Sequence, residues 1–468
     1  MARDVQTSAA LRCTREVAIG ETHPGDDSRP EGTEMSLAAP PRDPDVSPRR
    51  LLVLAIPAIV VGIAAALVLW ALDWVADQLQ GLLWDALPDA LGVDPSGWWI
   101  VLVLTVTGFA VGLGLRYLPG HGGPDSATTE LVDAPLPLRV LPGLAIVTVL
   151  GLAGGVSLGP ENPIIAINTA LVVALLARLL PAIPARIGML LAASATIGAL
   201  FGTPVAAALV FTGIVAAVKE GGGSLWDKLF LPVAAAGAGA ITMHLLGAPP
   251  LAFSLPPVGP PSGGYLLLGA LVACGAVVIG LAALAAFPVI YRAMHALRHP
   301  VLIATVGGLV LGVLGLIGGP ITMFKGLDQI GELLQNADDY DAGGLAAIVG
   351  IKSLALLVSA CALFRGGRVF PATFIGVALG LFASTLIPAI PVGLAVACGV
   401  LGIVLVVTRD GWISLFVAVA ITGEVAVLPM LCVIVLPAWL LVSGAPEFRI
   451  EPSSVKSAKR VAPGASAR

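Results

Sequence analysis

One carboxylate holds most of the chemical interest of this chain. Glu161 lies in Gly159-Pro160-Glu161-Asn162-Pro163, and an apolar run follows it. Glycine permits a sharp entry and proline suits a first helical turn, so the motif reads as the abrupt start of a helix. The unpaired amides of such a turn, at the positive end of the helix dipole, favour an anion. A carboxylate in that place can occupy the site a free anion would use. Protonated, it would lose that attraction and swing away, which makes it a gate coupled to pH. The alternative is a loop glutamate capping its own helix in water.

A second motif has the same form. Gly366-Gly367-Arg368-Val369-Phe370-Pro371 also leads into an apolar run, and the stretch from Gly159 overlays the stretch from Gly367 at a constant offset of 208. Gly159, Pro163, Ile167, Ala170 and Leu171 fall on Gly367, Pro371, Ile375, Ala378 and Leu379. A further echo sets Thr212-Gly213 on Thr422-Gly423, at offset 210. Two halves with corresponding Gly/Pro-interrupted segments are the pointer to a transporter with its site between the halves. The competing reading is two ordinary proline-kinked spans. Gly120-His121-Gly122-Gly123-Pro124 is a third break that could present backbone amides, or be a plain loop. Arg365 and Arg368 flank the second motif, as attractors of anions into a vestibule or as interfacial anchors.

The elements that must position these residues are membrane helices. Hydrophobic residues make up 57% of the 468-residue chain and charged residues 12%. Mean hydropathy is +0.97. A soluble chain of this length needs more charge to cover its surface. With 56 glycines and 37 prolines, the helices should be broken, re-entrant or closely packed. Apolar segments run from about Leu51 into the 70s, from Trp98 to Leu115, and near 138–155, 161–180, 187–199, 201–218 and 228–247. After a Pro/Gly-rich linker they resume near 265–290, 300–318, 343–364, 370–387, 391–407, 411–422 and 425–443. The expected organisation is a tail over 1–48, a first membrane repeat over 49–247, a linker over 248–264, a second repeat over 265–446 and a tail over 447–468. The first tail is polar and carries no apolar stretch of signal-peptide type, so it reads as disordered and cytoplasmic, unless translation starts at Met35. Basic residues before the first span and after the last place both termini in the cytoplasm.

Other classes have little support. Cys274, Cys361, Cys398 and Cys432 lie in apolar runs without metal or disulfide spacing. No motif of a hydrolase or metalloenzyme appears, and no basic tract suits nucleic acid, so no enzyme, cofactor, metal or nucleic-acid partner is expected. A cation-coupled secondary transporter would need intramembrane carboxylates, for which Glu161, Glu424 and Asp410 are the candidates.

Together these residues resemble the CLC family of chloride channels and proton-coupled chloride transporters. The run from Gly154 to Pro163 is similar to the family's glycine-rich stretch ending in G-R/K-E-G-P, with Glu161 in the place of the gating glutamate. Gly366 to Pro371 resembles the later G-x-F-x-P motif, and Gly120 to Pro124 stands where the family has G-S-G-x-P. Phe201-Gly202-Thr203-Pro204-Val205 and the stretch from Thr422 to Pro429 resemble two further segments. The resemblance implies an all-α integral membrane protein with an inverted-topology repeat of tilted and broken helices. It implies chloride or another small anion as substrate, a multi-pass location in the cell membrane with the lipid bilayer as surroundings, and a homodimer with one pore per subunit. It places anion contacts at His121, Gly122, Gly159, Pro160, Asn162, Val369 and Phe370, with gating by Glu161.

The departures are informative. His121 replaces the coordinating serine; it is either a solvated loop imidazole or a donor to the anion, and imidazoles change charge near physiological pH. The family's internal proton-transfer glutamate falls near Ile214, where no carboxylate stands; Glu220 is the nearest. The late pore tyrosine has no match beyond Tyr340. Pro160 stands for a basic residue and Asn162 for a glycine, which stiffens the turn around Glu161. Missing the inner glutamate, the chain is expected to be channel-like or weakly proton-coupled, with fluoride export as the runner-up.

Overall fold

The computed structural model describes residues 48–181, 184–216, 225–249 and 251–450. The N-terminal tail, Glu220 and the chain past Ile450 lie outside the described residues, as do the side chains of 213–216, Ile214 included. The first half contributes α1 (Pro48–Gly81), α2 (Leu87–Leu91), α3 (Trp98–Tyr117), α4 (Leu141–Ala153), α5 (Glu161–Leu179), α6 (Ala185–Phe201), α7 (Pro204–Ala216) and α8 (Leu225–Leu245). The second contributes α9 (Gly263–His295), α10 (Pro300–Gly318), α11 (Leu327–Gln335), α12 (Ala342–Cys361), α13 (Val369–Leu386), α14 (Val392–Thr408), α15 (Gly411–Thr422) and α16 (Leu428–Ser443).

Nine helical stretches among the described residues are long and apolar enough to cross a bilayer. Others are too short for that, α4 with 13 residues and α15 with 12, against the roughly 20 a crossing takes. Their ends must therefore be satisfied within protein. The carboxylate of Asp410 does this for α15, accepting from the amides of Trp412 and Ile413 at 2.8 and 3.0 Å. Gly202 and Gly423, both left-handed with φ near 65°, close α6 and α15, a conformation glycine adopts without penalty.

Burial separates the elements that face lipid from those that carry the site. Leu52, Val53, Ile56, Ile59 and Val60 of α1 point outward, whereas α14 is buried all round from Gly393 to Val406. The two halves meet about a pseudo-twofold axis, and two independent contacts reveal it. At the crossing of α3 and α10, Gly108 abuts Ala304 and Gly308, and Gly112 abuts Val301; reciprocally, Gly308 abuts Leu104 and Gly108, and Gly312 abuts Val101. Every one of these pairs repeats at offset 200, as a twofold requires. A side chain at these glycines would collide with backbone, so small residues here set the closeness of the crossing.

The second symmetric contact lies just ahead of α5 and α13. Gly159 and Gly367 form an isolated antiparallel bridge: Gly159 N–H donates to Gly367 O at 2.9 Å and Gly367 N–H donates to Gly159 O at 2.6 Å. The two residues that the repeat equates therefore pair with each other, and helices α5 and α13 start beside one another.

The chain after α16 departs from expectation. The stretch from Glu447, read above as the start of a tail, begins packed: Phe448 is buried against Phe287 with ring centroids 4.6 Å apart, and Ile450 N–H donates to Ala127 O at 2.8 Å. The apolar Phe448 and Ile450 in a charged stretch are what carry it back onto the fold.

Candidate functional site

Glu161 opens α5 and is 1% exposed. Its Oε1 accepts from the Phe370 amide in the first turn of α13 at 2.8 Å. Its Oε2 has no hydrogen-bond partner among the described residues. The carboxylate fills the space where Gly159 and Gly367 would otherwise carry Cβ atoms, so it occupies a niche only two glycines can form. It stands where two helix N-termini converge, each with free amides and the positive end of its dipole. A negative charge there is stabilised by helix ends, with no ion pair to Glu161 among the described residues.

Two cavities approach this niche. One, about 290 Å3, is lined by Pro160, Phe201, Lys325 and Phe370 together with Asp73, His244 and Asp328. The other, about 500 Å3, is lined by Thr129, Asn162, Arg368 and Val369, with Arg409, Phe448 and Arg449 around it. Pro160 and Asn162 bracket Glu161 in sequence and face different cavities, as do Val369 and Phe370. The carboxylate thus sits on the partition. Phe201, the first residue of the Phe-Gly-Thr-Pro segment, lines the smaller of the two and packs edge-on against Phe370 and Phe416 at 5.7 and 5.6 Å.

Gly159, Pro160, Asn162, Val369 and Phe370 all gather around Glu161. Asn162 also ties the loop before α4 to the site, its Nδ2 donating to Glu130 O at 3.1 Å and to Thr129 Oγ1 at 3.4 Å. His121 does not join them. It is exposed, with φ 54°, and lines neither cavity. Gly122 is buried, but its carbonyl accepts from Arg365 Nε at 2.9 Å. The polar side chain of this segment that reaches the second motif is Ser126, which accepts from Gly366 N–H at 3.0 Å and donates to Phe364 O at 2.7 Å. Sequence reasoning missed it because Ser126 stands five residues beyond His121, outside the motif.

The two arginines differ in role. Arg365 is a buried clamp: it bonds Gly122 O and Leu363 O and pairs with Asp125 at 3.7 Å. Burial pushes the Asp125 carboxyl up, and Arg365 beside it pulls the other way. Arg368 lies at the larger cavity, donating to Thr129 O at 2.9 Å and to Phe448 O, with its guanidinium 4.8 Å from the Phe448 ring. Asp410 and Glu424 have structural partners, the first capping α15 and the second accepting from Val258 N–H at 3.1 Å. A coupling-cation site therefore gains nothing from them.

A fully buried cation also went unforeseen. Lys352 of α12 is 0% exposed, and its Nζ donates to Met323 O and Phe324 O at 2.7 and 2.8 Å, with the Phe374 ring 5.1 Å away. A lone lysine in an apolar run gives no hint of direction, since such residues commonly reach outward to the interface.

The family model of voltage gated chloride channels matches residues 102–443. The chain belongs to this family. A relative in Escherichia coli O9:H4 (strain HS), named YfeO and described provisionally as an ion-transport protein, is 47% identical over 406 residues, covering 86% of this chain and 96% of the relative. Its counterpart in Escherichia coli (strain 55989 / EAEC) is also 47% identical, over 85% of this chain and 95% of the relative. Among solved structures, a slow cyanobacterial chloride/proton antiporter superposes with a TM-score of 0.72 at 17% identity, over 90% of this chain and 99% of that one. A CLC-type fluoride/proton antiporter superposes at 0.65 with 18% identity, over 86% and 98%. At those identities the likeness is one of fold. This family member is thus an integral membrane protein of ion transport with the CLC architecture, and the helix N-termini that meet at Glu161 lie at the heart of it.

Proposed function

We propose that this family member passes chloride or a similarly small anion between the two cavities, with Glu161 as the gate on the partition. The observation that carries this reading is the 2.8 Å bond from the Phe370 amide to Glu161 Oε1. A carboxylate held by the free amide of a facing helix is an anion already in the anion's place. A permeating ion takes over the same amides once the side chain leaves. His121 is not needed for this path; Gly159, Pro160, Asn162, Val369 and Phe370 are its walls.

Channel-like or weakly coupled transport is the favoured form, because the position near Ile214 offers no carboxylate to hand on a proton. The subunit path is self-contained, which suits a homodimer with one path per subunit, both termini in the cytoplasm of the cell.

The test is chloride efflux from loaded proteoliposomes, with and without an imposed pH gradient, for the wild type and Glu161→Gln. Replacing the charged acceptor by a neutral amide weakens the bond to Phe370 by about 1–1.5 kcal/mol, so passive efflux should rise roughly fivefold to tenfold. Uphill chloride movement driven by the pH gradient would overturn the channel-like form and call for a proton route that avoids position 214. If chloride stays put while fluoride moves, the substrate assignment passes to fluoride.

A further inference from the structure

The residue before Glu161 is a proline, so the motif brings no cation to its own gate. The structure brings one from elsewhere. Lys325 lies on the irregular segment between α10 and α11 and lines the same 290 Å3 cavity as Pro160 and Phe370. Arg368, the cation of the second motif, lines the other cavity, so among the described residues Lys325 is the lysine or arginine that shares this one with Pro160 and Phe370.

The segment that carries Lys325 is held firmly from behind. Phe324 is left-handed with φ 57° and Gly326 with φ 99°, turning the chain sharply on both sides of Lys325. The Phe324 amide donates to Gly155 O at 3.1 Å, and Trp84 packs edge-on against the Phe324 ring at 5.5 Å. The carbonyls of Met323 and Phe324 are both taken by Lys352 Nζ. Main-chain oxygens turned inward at this depth need donors, and a buried lysine supplies them. With its backbone fixed, the Lys325 side chain is directed to the cavity. Burial acts to lower its affinity for a proton, and Asp73, Asp328 and Asp77 more than offset that, so the ammonium stays charged.

Resting on the gating reading above, we infer that Lys325 is the positioning residue that receives the displaced Glu161 carboxylate. When Glu161 leaves the Phe370 amide, the cavity beside Phe370 gives it room and Lys325 gives it a counter-charge. The amides of α5 and α13 are then free for the anion. Lys325 stabilises the open arrangement by pairing with the displaced carboxylate; in the closed one Glu161 Oε1 is held by the Phe370 amide, and no hydrogen bond links Lys325 to Glu161 among the described residues. His244, Asp73 and Asp328 share the cavity and temper its field.

Direct attraction of the permeating anion is the competing role for a cavity lysine, and one experiment separates the two. Chloride efflux is measured for the wild type, Lys325→Gln, Lys325→Arg, Glu161→Gln and the double variant Glu161→Gln/Lys325→Gln. Lys325→Gln should reduce efflux about fivefold to tenfold, and Lys325→Arg should restore it, which rules out a folding defect as the cause. In the Glu161→Gln background, Lys325→Gln should change efflux by less than about twofold. An equal loss in both backgrounds overturns the inference, because Lys325 then acts on the anion itself. No loss in the wild-type background overturns it as well. If Glu161→Gln alone changes nothing, the gating reading has failed, and this inference falls with it.

Discussion

The niche around Glu161 is built from what two residues lack. Gly159 and Gly367 leave open the volume that the carboxylate fills, and a Cβ on either would overlap Oε2. Gly367→Ala should therefore expel the side chain and raise passive chloride efflux to the level of Glu161→Gln, with no further gain when the two changes are combined. Additivity of the two would mean that the methyl group acts elsewhere. At this scale the sequence was a good guide wherever a backbone requirement fixed residue type. Glycine, proline and a carboxylate at helix starts have few other uses together in an apolar setting. It was a poor guide where a side chain reaches across the fold. Ser126 and Arg365 act on residues some 240 positions away, and no local pattern announces such a partner. His121 matched a family position by spacing, yet its left-handed backbone turns it to the exterior.

Among the elements, helix extents were mostly legible because apolar runs and their Gly/Pro boundaries are intrinsic to the chain. The expected spans at 300–318 and 411–422 coincide with α10 and α15. The irregular segment from Gly319 to Gly326 was not legible, because its shape depends on Lys352 from α12. Lys352→Met should leave the Met323 and Phe324 carbonyls without a donor, at about 1–3 kcal/mol each, and lower the thermal midpoint of the purified protein by several degrees. The crossing of α3 and α10 makes a parallel demand. Gly308→Val would drive a branched side chain into the backbone of Leu104, costing about 1–3 kcal/mol or more from overpacking. The same melting measurement should register it, while Gly237→Ala within α8, which meets open space, should not lower the midpoint and should raise it slightly through helix propensity.

For the whole molecule, the two cavities imply two separate aqueous approaches to one partition. In a background without reactive cysteines, Asn162→Cys should be labelled by a membrane-impermeant thiol reagent from one side of the bilayer. His244→Cys should be labelled from the other side alone. Labelling of both from the same side would contradict a path that crosses at Glu161. The repeat was visible in the sequence at five matching positions between 159 and 171. Its geometric meaning was not, since a matching offset does not say that the matched residues touch. The bridge between Gly159 and Gly367 says so directly.

That bridge has a consequence for the sense of ion flow. A pore with true twofold symmetry about an axis in the membrane plane looks the same from either face and conducts alike in both directions. Here the axis passes between equivalent positions that carry different residues, Glu161 on one repeat and Val369 on the other at the offset of 208. Two carboxylates facing each other across so short a bridge would repel, so only one repeat can bear the charge. The architecture is thus neutral about direction, and unmatched pairs such as Glu161 and Val369 make it polar. Rectification, if a voltage is applied, should trace to such pairs rather than to the shape of the protein as a whole.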